Sequence, residues 1–201
     1  MNFLGDSLEE LMISSGTVYN EILVWPVSPS NPRPSTVHSL KGHSGVIFKV
    51  TFNPSGTLLA STSDDRTVRL WRHSSHSPSP PSSSPPPDVP SLLSPGSSYS
   101  LMWTGWSHTC RVWDVKFTPL GLVSSGEDGT AKLWDLGSPT VKGELRGHLS
   151  KSLWRVASTP GGRGAEKNLA VTGGNDGAAK VYDLEYHCKF NPPHPHEFEV
   201  R

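Results

Sequence analysis

The 201-residue sequence predicts an all-β protein of short strands laid out in repeats, and three observations carry this reading. Strand-forming runs such as EILVW (21–25), TVRLW (67–71) and AKLWDL (131–136) are bounded by the turn sequences NPSG, GEDG and GGNDG. That is the pattern of many short, evenly spaced strands. Helix formers are sparse beside 19 glycines and 19 prolines, and only SLEELM (7–12) offers a helical turn. The third observation is a recurrence. Asp65, Asp128 and Asp176 each stand six residues before a closing aromatic, respectively Trp71, Trp134 and Tyr182. Self-similarity at such a period marks a stacked repeat architecture.

The repeats run in order along the chain. MISSGTVYNEILVW (12–25) is a degenerate first copy that keeps the strands and Trp25 but has Tyr19 where the aspartate stands elsewhere. GHSGVIFKVTFNPSGTLLASTSDDRTVRLW (42–71) superposes on SHTCRVWDVKFTPLGLVSSGEDGTAKLWDL (107–136), with His43 on His108, Phe48 on Trp113, Val50 on Val115 and Phe52 on Phe117. The segment 147–184 repeats the roles with His148, Asp176 and Tyr182. Trp113–Asp114 lies on an early strand and is not a closing dipeptide. The excess spacing between Trp71 and Trp134 lies in a Ser/Pro-rich, nearly uncharged stretch (72–100). Such a stretch cannot bury enough apolar surface to offset its ordering entropy, so a disordered insertion is expected there. GGRGAEKN (161–168) reads as a hairpin-loop insertion.

These motifs resemble the WD40 repeat, in which each repeat builds one four-stranded blade of a β-propeller. The resemblance implies an incomplete all-β propeller of three clear blades and one partial blade. Residues 12–71 hold one partial and one complete repeat, 72–100 the insertion, 101–184 two further repeats and 185–201 a tail. The chain begins inside a blade without that blade's own Gly-His turn, which predicts part of a longer propeller. In the family the aspartate of the turn between second and third strands accepts from the His of the Gly-His turn. That His is linked to a Ser or Thr on the second strand and to the Trp on the third. Carried over, the tetrads are His43–Ser61–Asp65–Trp71 and His108–Ser124–Asp128–Trp134. The last is His148–Thr172–Asp176, with Tyr182 in place of Trp.

The adjacent carboxylates of Asp64 and Asp65 raise the question of an acid/base pair, and the Ser, His and Asp residues that of a hydrolytic triad. Repetition of one set on a short chain favours a structural network over an enzyme. Asp64 matches Glu127 and Asn175 in the other copies, so no turn requirement fixes it. No catalytic residue, metal site or cofactor is expected.

Composition narrows the function. Lys and Arg total 18, as do Asp and Glu, so the net charge is zero. An autonomous nucleic-acid binder usually carries a basic excess, because phosphate neutralisation supplies much of the affinity. Cys110 and Cys188 form no C-x-x-C pair and suit a reduced compartment. The tail holds three histidines separated by prolines, a poor metal frame. The start carries acids without a basic region before an apolar run, and no stretch approaches the ~20 apolar residues of a membrane span. A soluble intracellular protein is expected.

Three idiosyncratic stretches, SSGTVYNEILVW (14–25), GHSGVIFKVTFN (42–53) and SHTCRVWDVKF (107–117) followed by LVSSGEDGTAKLWD (122–135), resemble the WD repeat-containing protein 6 family. The resemblance implies a non-catalytic regulatory subunit, cytoplasmic, that supports 2′-O-methylation of the tRNA wobble nucleotide with a partner methyltransferase. Generic WD40 scaffolds are the rival, ubiquitin-ligase substrate receptors among them. The latter often close a blade with Trp-Asp-x-Arg, and the arginine is missing after Trp71, Trp134 and Tyr182. The rim expected to meet the protein partner comprises Val46, Asp64, Arg111, Glu127, Lys151 and Asn175. Their mixed charges suit a protein, so tRNA contacts are expected mainly from other parts of the complex, with no membrane or small-molecule substrate.

Overall fold

The computed structural model describes residues 2–4, 11–27, 37–74, 98–149, 152–159, 167–190 and 198–200. Its strands form four antiparallel four-stranded sheets, each in chain order. The first sheet holds β1 (Asn2–Leu4), β2 (Leu11–Gly16), β3 (Glu21–Val27) and β4 (His38–Lys41). The second holds β5 (Ile47–Phe52), β6 (Leu58–Ser63), β7 (Val68–His73) and β8 (Tyr99–Gly105). The third holds β9 (Val112–Thr118), β10 (Gly121–Gly126), β11 (Ala131–Trp134) and β12 (Val141–Leu145). The fourth holds β13 (Leu153–Ser158), β14 (Leu169–Gly174), β15 (Ala179–Asp183) and β16 (Phe198–Val200), with helix α1 (Leu184–Phe190) before its last strand.

Successive side chains of a strand point to opposite faces, and here each face meets a different neighbour. On β6, Leu59 joins the core shared with the first sheet and Ala60 the core shared with the third. On β10, Leu122 faces back and Val123 forward into the core with the fourth sheet. The closing aromatics follow suit: Trp71, Trp134 and Tyr182 each pack toward the preceding sheet. Burial on both faces explains why β10 is buried at every position. The first strands β5, β9 and β13 lie side by side, so they line the inner edge of the stack. This is the arrangement of consecutive propeller blades.

Several boundaries differ from the sequence reading. Leu11 and Met12 belong to β2 rather than to a helical turn, and residues 7–10 lie outside the described residues. β1 pairs with β2 as a fourth strand of the sheet that holds the first, degenerate copy. Arg72–His73 and Tyr99–Ser100, read as ends of the insertion, are strand residues paired with each other. Ser74 and Ser98 close the gap, Ser74 N–H donating to the Ser98 carbonyl at 2.7 Å; residues 75–97 lie outside the described residues. The supposed tail supplies α1, which packs on β12, and β16, which pairs with β15.

The turns between second and third strands share one conformation. Asn20, Arg66, Gly129 and Gly177 occupy its left-handed position, at φ of 67°, 68°, 79° and 74°. Only glycine adopts that region without steric cost from Cβ. Arg66→Gly is therefore expected to raise stability by about 1 kcal/mol, read as a higher urea midpoint.

Candidate functional site

The tetrad residues come together in each of the last three blades. In the second blade His43 Nδ1 lies 2.8 Å from Asp65 Oδ2 and Nε2 lies 2.8 Å from Ser61 Oγ, which also accepts from Trp71 Nε1–H at 3.0 Å. The third blade matches: His108 Nδ1 to Asp128 Oδ2 is 2.8 Å, Nε2 to Ser124 Oγ 2.7 Å, and Trp134 Nε1 to Ser124 Oγ 2.8 Å. In the fourth blade His148 Nδ1 meets both Asp176 oxygens, at 2.9 and 3.0 Å, and Nε2 lies 2.8 Å from Thr172 Oγ1. There the Tyr182 hydroxyl donates to the Arg146 carbonyl at 3.3 Å. In the first blade Tyr19, at the aspartate's place, is 83% exposed, and Thr17 Oγ1 caps the turn by accepting from Tyr19 N–H.

Proton counting fixes the polarity of these chains. Trp Nε1–H donates to the serine oxygen, the serine hydroxyl donates to Nε2, and Nδ1–H donates to the carboxylate. Every bond then has one proton, and in the second blade the His43 imidazole is neutral; a second ring proton there would leave the buried Ser61 hydroxyl hydrogen without an acceptor. Each carboxylate also holds its own turn. Asp65 accepts from Ser44 N–H, Thr67 N–H and Thr67 Oγ1–H, and Asp128 accepts from Thr109 N–H, Thr130 N–H and Thr130 Oγ1–H.

A hydrolytic nucleophile must meet its substrate. Ser61, Ser124 and Thr172 are fully buried, their oxygens sealed beneath the histidines. The arrangement can clamp a blade, and it offers no surface to a substrate.

Burial pushes the His43 ring below its ordinary value of 6.5, against the opposing pull of Asp65. Burial works against ionisation of Asp65, yet the hydrogen bonds from His43 and Thr67 hold its carboxyl well below 3.8. The same balance, led by the bond from His148, takes Asp176 down to about 2. Depressed values make the unfolded chain bind more protons, so stability rises with pH through each window. The urea midpoint is therefore expected to fall as pH drops below 6.5, as His43 is forced to charge, and to fall further below 3.8, where the carboxylates protonate. A midpoint flat from pH 7 to pH 5 would contradict the neutral-histidine polarity.

The rim residues gather at one end of the sheets. Backbone bonds from Asp64 N–H to Val46 O, Glu127 N–H to Arg111 O and Asn175 N–H to Ser152 O place each pair at equivalent positions. The fourth blade's partner to Val46 and Arg111 is thus Ser152 rather than Lys151, because the turn after His148 is one residue longer. Lys151 lies outside the described residues. Arg111 bridges two blades, Nε to Asp64 Oδ1 at 2.5 Å and to Glu127 Oε2 at 3.9 Å.

Inside this rim is a pocket of about 360 Å³ lined by Phe48, Trp113, Glu127, Ser152, Trp154 and Arg155. The aromatics are what sequence reasoning passed over. Register shifts at Ile47/Lys49, Ser125/Gly126 and Leu153/Arg155 leave Phe48, Trp113 and Trp154 unpaired as bulge residues at one repeat position. The bulge re-aims a side chain out of the pleat. The superposition of Phe48 on Trp113 was the available signal.

Blades, buried tetrads and turn register together define a WD40 repeat protein. The WD domain, G-beta repeat family matches residues 34–72, 99–135 and 139–183, and the chain belongs to that family. Within it, the chain is similar to the "tRNA (34-2′-O)-methyltransferase regulator WDR6" of Rattus norvegicus, 30% identical over 184 residues and 90% of this chain. The Homo sapiens protein of that name is 28% identical over 191 residues, again 90% of this chain. The Drosophila melanogaster protein is 25% identical over 76% of it. The chain spans 14% of the length of the two mammalian relatives and 15% of the fly one. "Nuclear distribution protein PAC1" of Arthroderma benhamiae is 33% identical over 160 residues, 73% of this chain.

Proposed function

We propose that this chain is a non-catalytic WD40 scaffold supporting 2′-O-methylation of tRNA at wobble position 34, in the cytoplasm, with a partner methyltransferase supplying catalysis. The observation that carries this reading is the similarity along 90% of the chain to proteins named as regulators of that methyltransferase. The geometry supports it. The His and Asp residues of the tetrads are engaged in locking blades, while the exposed rim carries mixed charge in place of a phosphate-tracking stripe. The partner's seat on this reading is Val46, Asp64, Arg111, Glu127 and Asn175, with Ser152 at the fourth-blade position. A second reading, a general interaction scaffold, draws on the similarity to the PAC1 protein.

Copurification separates the two. The tagged full chain is expected to retain a tRNA 2′-O-methyltransferase, and Arg111→Glu to lower that retention about tenfold. Arg111 is half exposed, so its ion pairs contribute at most about 1 kcal/mol and the thermal melt should barely move. Retention of a cullin-ligase adaptor in place of the methyltransferase would sink the first reading.

A further inference from the structure

The pocket inside the rim has a chemistry of its own. Phe48 and Trp113 face each other across the second and third blades with ring centroids 4.4 Å apart. Trp154 completes the aromatic wall from the fourth blade and is 59% exposed, a large apolar surface left open to solvent. Arg155 lines the same pocket, and Lys49 and Lys116 lie on the neighbouring inner strands β5 and β9. Lys49 is close enough to feel both cations: burial lowers its pKa first, and Lys116 and Arg155 lower it further, against the pull of Asp114.

Two acids lie nearby. Asp114 is buried, its two oxygens accepting from Val115 N–H at 2.9 Å and Val156 N–H at 3.2 Å. Glu127 lines the pocket and lies 3.9 Å from Arg111. Arg155, Lys49 and Lys116 outnumber Asp114 and Glu127, so the aromatic faces adjoin a local excess of positive charge that the zero net charge of the whole chain conceals. A cationic side chain from a partner would meet those cations, whereas a planar ring carrying an anion meets both features favourably. Base stacking on aromatic side chains beside Arg or Lys is how single-stranded nucleic acid is held.

We propose that this pocket binds a nucleotide of single-stranded RNA, its base stacked on Trp154 and Trp113 and its phosphate held by Arg155. Glu127 and Ser152 supply the polar edge for the base's exocyclic groups. The site stands on the pocket's own chemistry and does not depend on which methyltransferase, if any, is the partner.

Fluorescence anisotropy of a labelled single-stranded oligoadenylate with the full chain tests it. Trp154→Ala is expected to weaken binding about tenfold to a hundredfold, the range for loss of one stacked base, while Trp154→Phe retains most of it. Arg155→Gln should make log K fall less steeply with log salt, by about 0.7 for one phosphate contact. Both side chains are exposed, so the melt should be unchanged. No binding of oligoadenylate by the folded chain, or binding indifferent to both substitutions, overturns the proposal. Preference for a phosphotyrosine peptide over the RNA would make this a phosphopeptide site and overturn it equally.

Discussion

Trp134→Ala is expected to destabilise the chain by about 4 kcal/mol, the upper part of the range for removing a buried aromatic. Its ring is fully buried between the second and third blades, stacked on Trp103 at 6.0 Å and lying against Gly105, where an added Cβ would come within 2.5 Å of it. The substitution opens a cavity in that core and withdraws the Nε1–H donor from Ser124 Oγ. Urea unfolding should show the loss, and hydrogen exchange should place the earliest opening in β8 and β9. A midpoint within experimental error of the parent would mean that the inter-blade core does not hold these sheets together.

Asp128→Ala comes next, at about 3 kcal/mol. It deprives His108 Nδ1, Thr109 N–H, Thr130 N–H and Thr130 Oγ1 of one shared acceptor. A buried donor left without a partner costs about 1–3 kcal/mol, and the solvent that reaches the turn recovers only the outer two. Asp128→Asn keeps the shape and one carbonyl acceptor, so about 2 kcal/mol is expected. The Asp176 substitutions should cost less, because Ala178 stands where Thr67 and Thr130 add a hydroxyl bond.

The blades were legible in the sequence because their determinants are local. Asp65, Asp128 and Asp176 sit at fixed distances from Trp71, Trp134 and Tyr182, since a hairpin of given register permits no other spacing. What was not legible depends on partners far along the chain. β1 and β16 carry no motif; each is a strand because a paired neighbour presents an open edge. The seven residues of α1 find their place by packing on β12, which no periodicity announces. The sequence set Lys151 beside Val46 and Arg111, whereas one extra residue after His148 gives Ser152 the equivalent backbone bond. The pocket aromatics escaped notice because a bulge, invisible in the alternation pattern, turns them outward.

On the proposed function, methylation of tRNA by a complex reconstituted with the methyltransferase, measured per mole of folded protein with Asp128→Asn in place of the parent chain, tests most directly whether these His–Asp sets are scaffold or machinery. A scaffold predicts a rate that falls only in proportion to the folded fraction and returns when conditions refold the variant. A rate that collapses while the folded fraction and the bound methyltransferase stay at parental levels would place chemistry at Asp128 and contradict the scaffold.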